Sequence, residues 1–349
     1  MRKIKIDKKF VGENEPCFII AEAGANHDSM VEKGKKLIKK AAESGADAIK
    51  FQIYVADKLV TKNSPKYWKD SKPNKTQYEV FQRLDKLTED DWKELVNYCK
   101  KLNITFFSTP FDEESADFLE ELDISAFKIA PVDITRLPLL KYVGEKGLPM
   151  ILSTGMANIY EIKDAVKTIE STKNKDIILL HCIISYPTAI KDANLHVITT
   201  LQKIFPDIPV GFSDHTIGTI IPAVAVSLGA KIIEKHYTID KKLPENIDHK
   251  FSLDLDDLRE TIENIRMVEE ALGSPIKKLT ESEKNGFKLS RRSLIANSPI
   301  PRGTKINRNM ISIKRPGYGI QPKYIDKVIG KIAKRDINAD EVLKWDDLK

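Results

Sequence analysis

Cysteine is scarce in this chain. Cys17, Cys99 and Cys182 are spread over 349 residues, an odd number without paired spacing. Neither a disulfide framework nor a zinc knot is available, and a reducing compartment is expected. No apolar run approaches the roughly 20 residues that span a membrane. The N-terminal Met1-Arg-Lys-Ile-Lys-Ile-Asp7 has basic residues but no apolar signal-peptide core, so a cytoplasmic location without membrane attachment is expected. An excess of one charge is missing too: 57 Lys and Arg face 51 Asp and Glu, for a net +6. The lysines alternate with acids at helix-surface spacing, as in Glu32-Lys-Gly-Lys-Lys36. Solvated helix faces explain them, a small anionic ligand suits them, and no nucleic-acid partner is expected. Finally, no Gly-x-Gly-x-x-Gly turn follows any strand-like run, which argues against an open dinucleotide-binding sheet.

What is present is a full core's worth of apolar residues, 41% against 31% charged. That length and balance suit one large domain with a small one, or two medium ones. Two stretches organise the rest: Pro209-Val-Gly-Phe-Ser-Asp-His-Thr216 and Lys231-Ile-Ile-Glu-Lys-His-Tyr-Thr238. Each is a short apolar strand that ends abruptly in ionisable residues. The apolar, small-residue run Ile217–Leu228 between them has helix length, so the two strands should be parallel neighbours. His215 and His236 would then emerge at the same end of one sheet, beside Asp214 and Glu234. Two neutral imidazoles there could hold one divalent metal, or each could be a structural strand-end histidine. The residues alone leave both open.

The same unit of strand, polar tip and helix recurs from Cys17 onward. Strands are expected at Cys17–Ala21, Ala48–Gln52, Thr105–Phe111, Ala126–Ala130, Pro149–Gly155 and Ile177–Cys182, ahead of the two already named. A long polar insertion, roughly Tyr54–Lys86, follows the second, and a closing helix runs from Leu255 to Leu272. Eight such units predict an α/β fold, a (β/α)8 TIM barrel over residues 1–272, whose eighth strand closes against the first. Glu22, Asn26, His27, Lys50, Gln52, Thr109, Lys128, Ser153, His181, Ser213, His215, Glu234 and His236 all lie at or just past strand ends. In a barrel those ends share one rim. After a linker at 273–287, residues 288–349 form a second, small domain. There Arg291–Asn297 and Ile300–Ile306 read as short strands joined by tight turns.

Lys50 and Lys128 each sit within an apolar strand. Burying an ammonium is costly without an anion, so each predicts a carboxylate, a phosphate or a covalent role. With Thr109, Ser153 and Ser213 the two lysines make a binder for a small dianion. Glu22 is a candidate acid or base, or the partner of one lysine in a rim ion pair. A metal on the histidines would polarise a carbonyl. Together these point to an anionic substrate and a carbonyl acceptor.

The motifs Phe18-Ile-Ile-Ala-Glu-Ala-Gly-Ala-Asn-His27, Ile49-Lys-Phe-Gln52, Phe107-Ser-Thr-Pro-Phe111, Phe127-Lys-Ile129, Leu152-Ser-Thr-Gly-Met156, Gly211-Phe-Ser-Asp-His-Thr216 and Glu234-Lys-His236 follow in this order. The chain thereby resembles the sialic acid synthase family, the phosphoenolpyruvate-dependent nonulosonate synthases. Ser290-Arg-Arg-Ser293 and Lys314-Arg-Pro-Gly317 resemble that family's C-terminal antifreeze-like (SAF, β-clip) domain. The resemblance implies condensation of phosphoenolpyruvate with the open-chain aldehyde of N-acetylmannosamine or a related N-acyl hexosamine, with phosphate released by C–O cleavage. It assigns His215 and His236 to Mn²⁺ or Mg²⁺, and Lys50, Lys128, Thr109, Ser153 and Ser213 to phosphoenolpyruvate. Glu22 becomes the acid/base or aldehyde-orienting carboxylate. Gln52, Asn74, Tyr186 and Asp248 become sugar contacts, joined by Arg315 from the antifreeze-like domain of the partner subunit in a homodimer.

There are departures from the family pattern. Pro131 and Asp133 stand where a serine and a glutamate are usual, and Ile184 where Asn or Ser is common. These losses bear on phosphoenolpyruvate affinity, and Asp133 could replace the glutamate with a shorter reach. Other readings are legionaminate or pseudaminate synthesis from a diacetamido-trideoxyhexose, condensation with a phosphorylated aldose, and a Schiff-base aldolase on Lys128. A sugar-binding homologue with weakened catalysis completes them.

Overall fold

The computed structural model describes residues 1–68, 75–243 and 247–349. The chain divides into two compact units, Met1–Gly273 and Ser274–Lys349. The first holds eight parallel strands in one sheet: β1 (Phe18–Gly24), β2 (Ala48–Ile53), β3 (Thr105–Pro110), β4 (Phe127–Ile129), β5 (Met150–Ser153), β6 (Ile177–Cys182), β7 (Val210–Asp214) and β8 (Ile232–His236). The ladder runs β3-β2-β1-β8-β7-β6-β5-β4, so β8 pairs with β1, Ile232 opposite Phe18 and His236 opposite Glu22. The ladder's two ends, β3 and β4, lie against each other, and the barrel is nearly closed. This is the expected (β/α)8 architecture.

Two-residue periodicity explains how one strand serves both core and site. Ile19, Ala21, Ile49, Phe51, Leu152, Leu179 and Ile233 face outward into a core shared with the helices. Phe18, Ile20, Ala48, Phe107, Ala126, Ile151, Ile178, Leu180 and Ile232 form a separate inner cluster. An N-terminal hairpin, Ile4–Ile6 paired with Lys9–Val11, adds Ile4, Ile6 and Val11 to that cluster and plugs the barrel floor. One step of two further along the same inward faces come Glu22, Lys50, Thr109, Lys128, Ser153, Ser213, Glu234 and His236. The barrel lumen is therefore apolar at one end and ionic at the C-terminal end, the usual place for chemistry in this architecture.

The helices sit on the outer face for ordinary reasons. Val31–Ser44 buries Leu37, Ile38 and Ala41 on one stripe and ends at Gly45, whose φ of 86° suits glycine. Each fully buried leucine or isoleucine contributes about 1.5–3 kcal/mol. Glu89–Leu102 and Leu255–Leu272 start with capping boxes at Thr88/Asp91 and Asp254/Asp257. The helix between β7 and β8 begins at Ile220, three residues later than the apolar run at Ile217 predicts, because the chain first turns through Gly218 at φ 96°.

In the second unit, Ser293–Ala296 pairs antiparallel with Ile311–Lys314. The strand expected at Ile300–Ile306 is not one. Its residues make only isolated bridges, Ile300 with Ile337 and Lys305 with Ile332. This part of the chain curls around a small core of Leu294, Ile306, Val328 and Leu343, which gives no neighbour long enough for a ladder. Arg315 directly follows the second strand.

Candidate active site

At the C-terminal mouth of the barrel is a cavity of about 280 Å³. Glu22, Lys50, Gln52, Thr109, Lys128, Ser153, Tyr186, Ser213, His215, His236 and Asp248 all line it. Asn74 lies outside the described residues, and Arg315 belongs to the second unit.

The floor is a buried charge network. Lys50 Nζ lies 2.7 Å from Glu22 Oε2, donates to Thr109 Oγ1 at 3.2 Å and stands 3.8 Å from Glu234 Oε2. Gln52 donates to the other Glu22 oxygen at 2.9 Å. Lys128 donates to Ser153 Oγ at 2.7 Å and to the Ile129 carbonyl at 3.1 Å, and stands 3.7 Å from Glu234 Oε1. Ser213 donates to that same oxygen at 2.9 Å. Glu234 is thus the hub between the two lysines. Alternation along β8 places it inside the barrel two residues before His236, a signal present in the sequence.

Burial and these neighbours set the protonation behaviour. Burial pushes Glu22 up to about 7, against the pull of Lys50. Burial also acts on Glu234, but Lys128 and Lys50 outweigh it and hold that carboxylate below its usual range. Desolvation opposes the Lys50 ammonium, yet Glu22 and Glu234 keep its pKa raised. In Lys128 burial prevails and the pKa falls.

His215 and His236 flank this network, their ring centroids 5.4 Å apart, with Tyr186 4.5 Å and 6.1 Å from the two rings. Burial lowers the pKa of His215 and drives that of His236 well down, His215 adding to the second effect. Both rings are therefore neutral. His215 Nδ1 is 2.8 Å from the Ile183 carbonyl; as donor there, it leaves Nε2 as the lone pair. His236 Nδ1 is buried without a hydrogen-bond partner among the described residues, with Asp248 Oδ2 3.9 Å away. Two neutral imidazoles with an orphaned ring nitrogen fit a divalent cation. Among the described residues no group of three or more His, Cys, Asp or Glu is placed to hold a metal ion.

Two of the four histidines expected at the rim do other work. His27 packs edge-on against Trp92, centroids 5.5 Å apart, and accepts from the Ser29 amide at 3.0 Å. His181 Nε2 bonds the Ala193 carbonyl at 2.8 Å. Neither lines the cavity. Asn26 likewise ties the Tyr237 carbonyl at 2.9 Å, holding the loops after β1 and β8 together.

Two glycines show how tightly the lining converges. A Cβ on Gly24, which has φ +50°, would lie 3.2 Å from Glu22 Oε1, 3.6 Å from Gln52 Nε2 and 3.7 Å from Asp248 Oδ2. A Cβ on Gly155 would meet Cys182 Sγ at 2.8 Å, Ile184 Cγ1 at 3.0 Å and Pro131 Cβ at 3.2 Å. The two apolar departures, Pro131 and Ile184, are thus neighbours on one wall of the cavity.

The insertion after β2, polar by composition, supplies another apolar wall. Its short helices Ala56–Leu59 and Gln77–Leu84 bring Leu59, Val80 and Phe81 against Tyr54, Leu84 and Phe111. Tyr67, Trp68 and Phe81 line the cavity, with Trp68 5.9 Å from Phe81 and Tyr67 4.9 Å from Trp68, centroid to centroid. Sequence reading missed this wall because its aromatic residues have no regular period.

A TIM barrel whose mouth gathers carboxylates, lysines and histidines is suited to small-molecule chemistry, and comparison with known proteins narrows the class. The NeuB family model matches residues 37–277 and the SAF domain model residues 291–349. An uncharacterized protein of Methanocaldococcus jannaschii is 46% identical over 100% of this chain and 99% of its own length. The N,N'-diacetyllegionaminic acid synthase of Legionella pneumophila is 39% identical, covering 97% of this chain and 96% of that protein. The crystal structure of a spore coat polysaccharide biosynthesis protein from Bacillus subtilis superposes with TM-score 0.69 at 39% identity, over 99% of each chain. The chain belongs to the NeuB family and carries a C-terminal SAF domain. Its relatives include sialic, legionaminic and pseudaminic acid synthases.

Proposed function

We propose that this protein condenses phosphoenolpyruvate with the open-chain aldehyde of an N-acyl hexosamine, giving a nonulosonic acid and inorganic phosphate. The observation that carries the reading is the pairing of two cationic stations, Lys50–Thr109 and Lys128–Ser153, on either side of Glu234 and below two neutral histidines. Phosphoenolpyruvate needs cations and hydroxyl donors for its phosphate and carboxylate, which Lys128, Ser153, Ser213, Lys50 and Thr109 provide. Glu22, steered by Lys50 and Gln52, is positioned to orient the acceptor aldehyde and give its oxygen a proton as the C–C bond forms. C3 of phosphoenolpyruvate attacks the aldehyde carbon, water adds at C2, and the tetrahedral centre expels phosphate with its bridging oxygen. A divalent ion, Mn²⁺ or Mg²⁺, on His215 and His236 supplies Lewis-acid polarisation of a carbonyl when bound.

A particular feature favours the diacetamido-trideoxyhexose acceptor over N-acetylmannosamine. The wall formed by Tyr54, Tyr67, Trp68, Val80 and Phe81 rewards methyl and acyl groups and opposes a hydroxymethyl or phosphate group. An apolar wall discriminates against one added hydroxyl by about 10²-fold at most, so both sugars should react at measurable rates. The test is phosphate release from phosphoenolpyruvate and Mn²⁺ with each sugar in turn. Release with neither sugar removes the reading, and release faster with N-acetylmannosamine reverses the preference.

A further inference from the structure

The residue before each candidate metal-binding histidine is tied to the residue before the other. Asp214 and Lys235 are direct ladder partners on β7 and β8, and the Lys235 ammonium donates to Asp214 Oδ2. Both are almost fully buried, at 1% and 3% exposure. Alternation turns them away from the lumen, since Ser213, Glu234 and His236 face inward. Lys235 also donates to the Thr216 carbonyl at 2.7 Å. Asp214 takes the Thr216 amide at 2.8 Å and the Thr216 hydroxyl at 3.1 Å. His215 is therefore the middle residue of a turn whose two ends are pinned, and the pin is rooted in the strand that carries His236.

A buried ion pair is weak evidence for stability, because desolvation cancels most of its attraction. Here the pair's hydrogen bonds converge on one turn, at the amide, hydroxyl and carbonyl of Thr216. We propose that Asp214 and Lys235 are positioning residues that set the spacing of His215 and His236, and hence the affinity of the mouth for a divalent cation. Neither lines the cavity. Like the outer contacts of other metal sites, they act by orienting the ligands, and their loss should weaken metal binding about 10–100-fold. This rests on the reading of His215 and His236 as metal ligands.

The test replaces the pair with apolar residues, Asp214→Leu with Lys235→Met, which avoids leaving one buried charge alone. Mn²⁺ binding to metal-free protein is measured by calorimetry and by loss of the free-ion paramagnetic resonance signal, beside the wild type and Lys235→Arg. The inference expects a melting temperature within a few degrees of wild type, Mn²⁺ affinity down 10–100-fold and near-normal affinity in Lys235→Arg. A folded double variant that binds Mn²⁺ like wild type overturns it. If the double variant does not fold, Asp214→Asn takes its place, with a several-fold loss of affinity expected and an unchanged value overturning the proposal. Wild type that binds no Mn²⁺ overturns the metal reading itself, a result distinguishable from all the others.

Discussion

Lys50 Nζ lies 2.7 Å from Glu22 Oε2, both side chains almost fully buried, on adjacent strands where the two residues face each other in register. Glu22→Gln should keep the Gln52 neighbourhood and the fold, while kcat falls about 10²–10⁴-fold, the range for a lost general acid or base. Lys50→Met leaves a buried carboxylate without its ion-pair partner and should cost about 3–5 kcal/mol of stability. Steady-state kinetics and thermal melts separate the two effects. Glu22→Gln with wild-type kcat would strip Glu22 of its role.

His236→Ala should abolish turnover and leave the barrel folded, since it removes a lining ring and no part of the inner apolar cluster. Circular dichroism would be unchanged within error. Chelator treatment of the wild type should mimic the loss, with recovery on adding Mn²⁺ or Mg²⁺. Full activity of the variant in chelator-treated buffer contradicts the metal assignment.

Oxygen labelling tests the bond that breaks. With ¹⁸O in the bridging position of phosphoenolpyruvate, mass spectrometry should find the label in inorganic phosphate. Its appearance in the sugar acid would mean P–O cleavage and a different reaction.

Asp133 sets a pH dependence of stability. Burial raises its pKa to about 6, its Oδ2 has no hydrogen-bond partner among the described residues, and Arg136 Nη1 is 3.8 Å from the other oxygen. A carboxyl raised in the folded state favours folding below its unfolded pKa. That contribution is lost as pH climbs from about 4 through 6. Such a shift is worth at most about 3 kcal/mol, and about 1–2 kcal/mol is expected because water still reaches the group. Asp133→Asn should therefore melt with wild type near pH 4 and above it near pH 7.5. Equal melting temperatures at both pH values would remove the effect.

The strands and their inward residues were legible because alternation is local: Glu22 follows Phe18 and Ile20 on one face, and Glu234 and His236 follow Ile232 on another. Any chain with this pattern must put its polar tips at one barrel end. The same reasoning overreached for His27 and His181, since a strand-end position says nothing about which neighbour a ring will meet. The apolar wall of Tyr67, Trp68 and Phe81 escaped it because those side chains are gathered by packing across an insertion and not by a period.

The sequence by itself determined the repeated strand–helix unit, the parallel pairing, and the chemical types that meet at the mouth, all consequences of short-range periodicity and the cost of burying charge. Only the tertiary structure decided who partners whom: Lys50 with Glu22, Lys128 with Ser153, Glu234 between both lysines, and Asp214 with Lys235 beneath the two histidines. Those pairings join residues distant in sequence through barrel closure and register, and electrostatic energies depend on separations of a few ångströms that no linear spacing encodes.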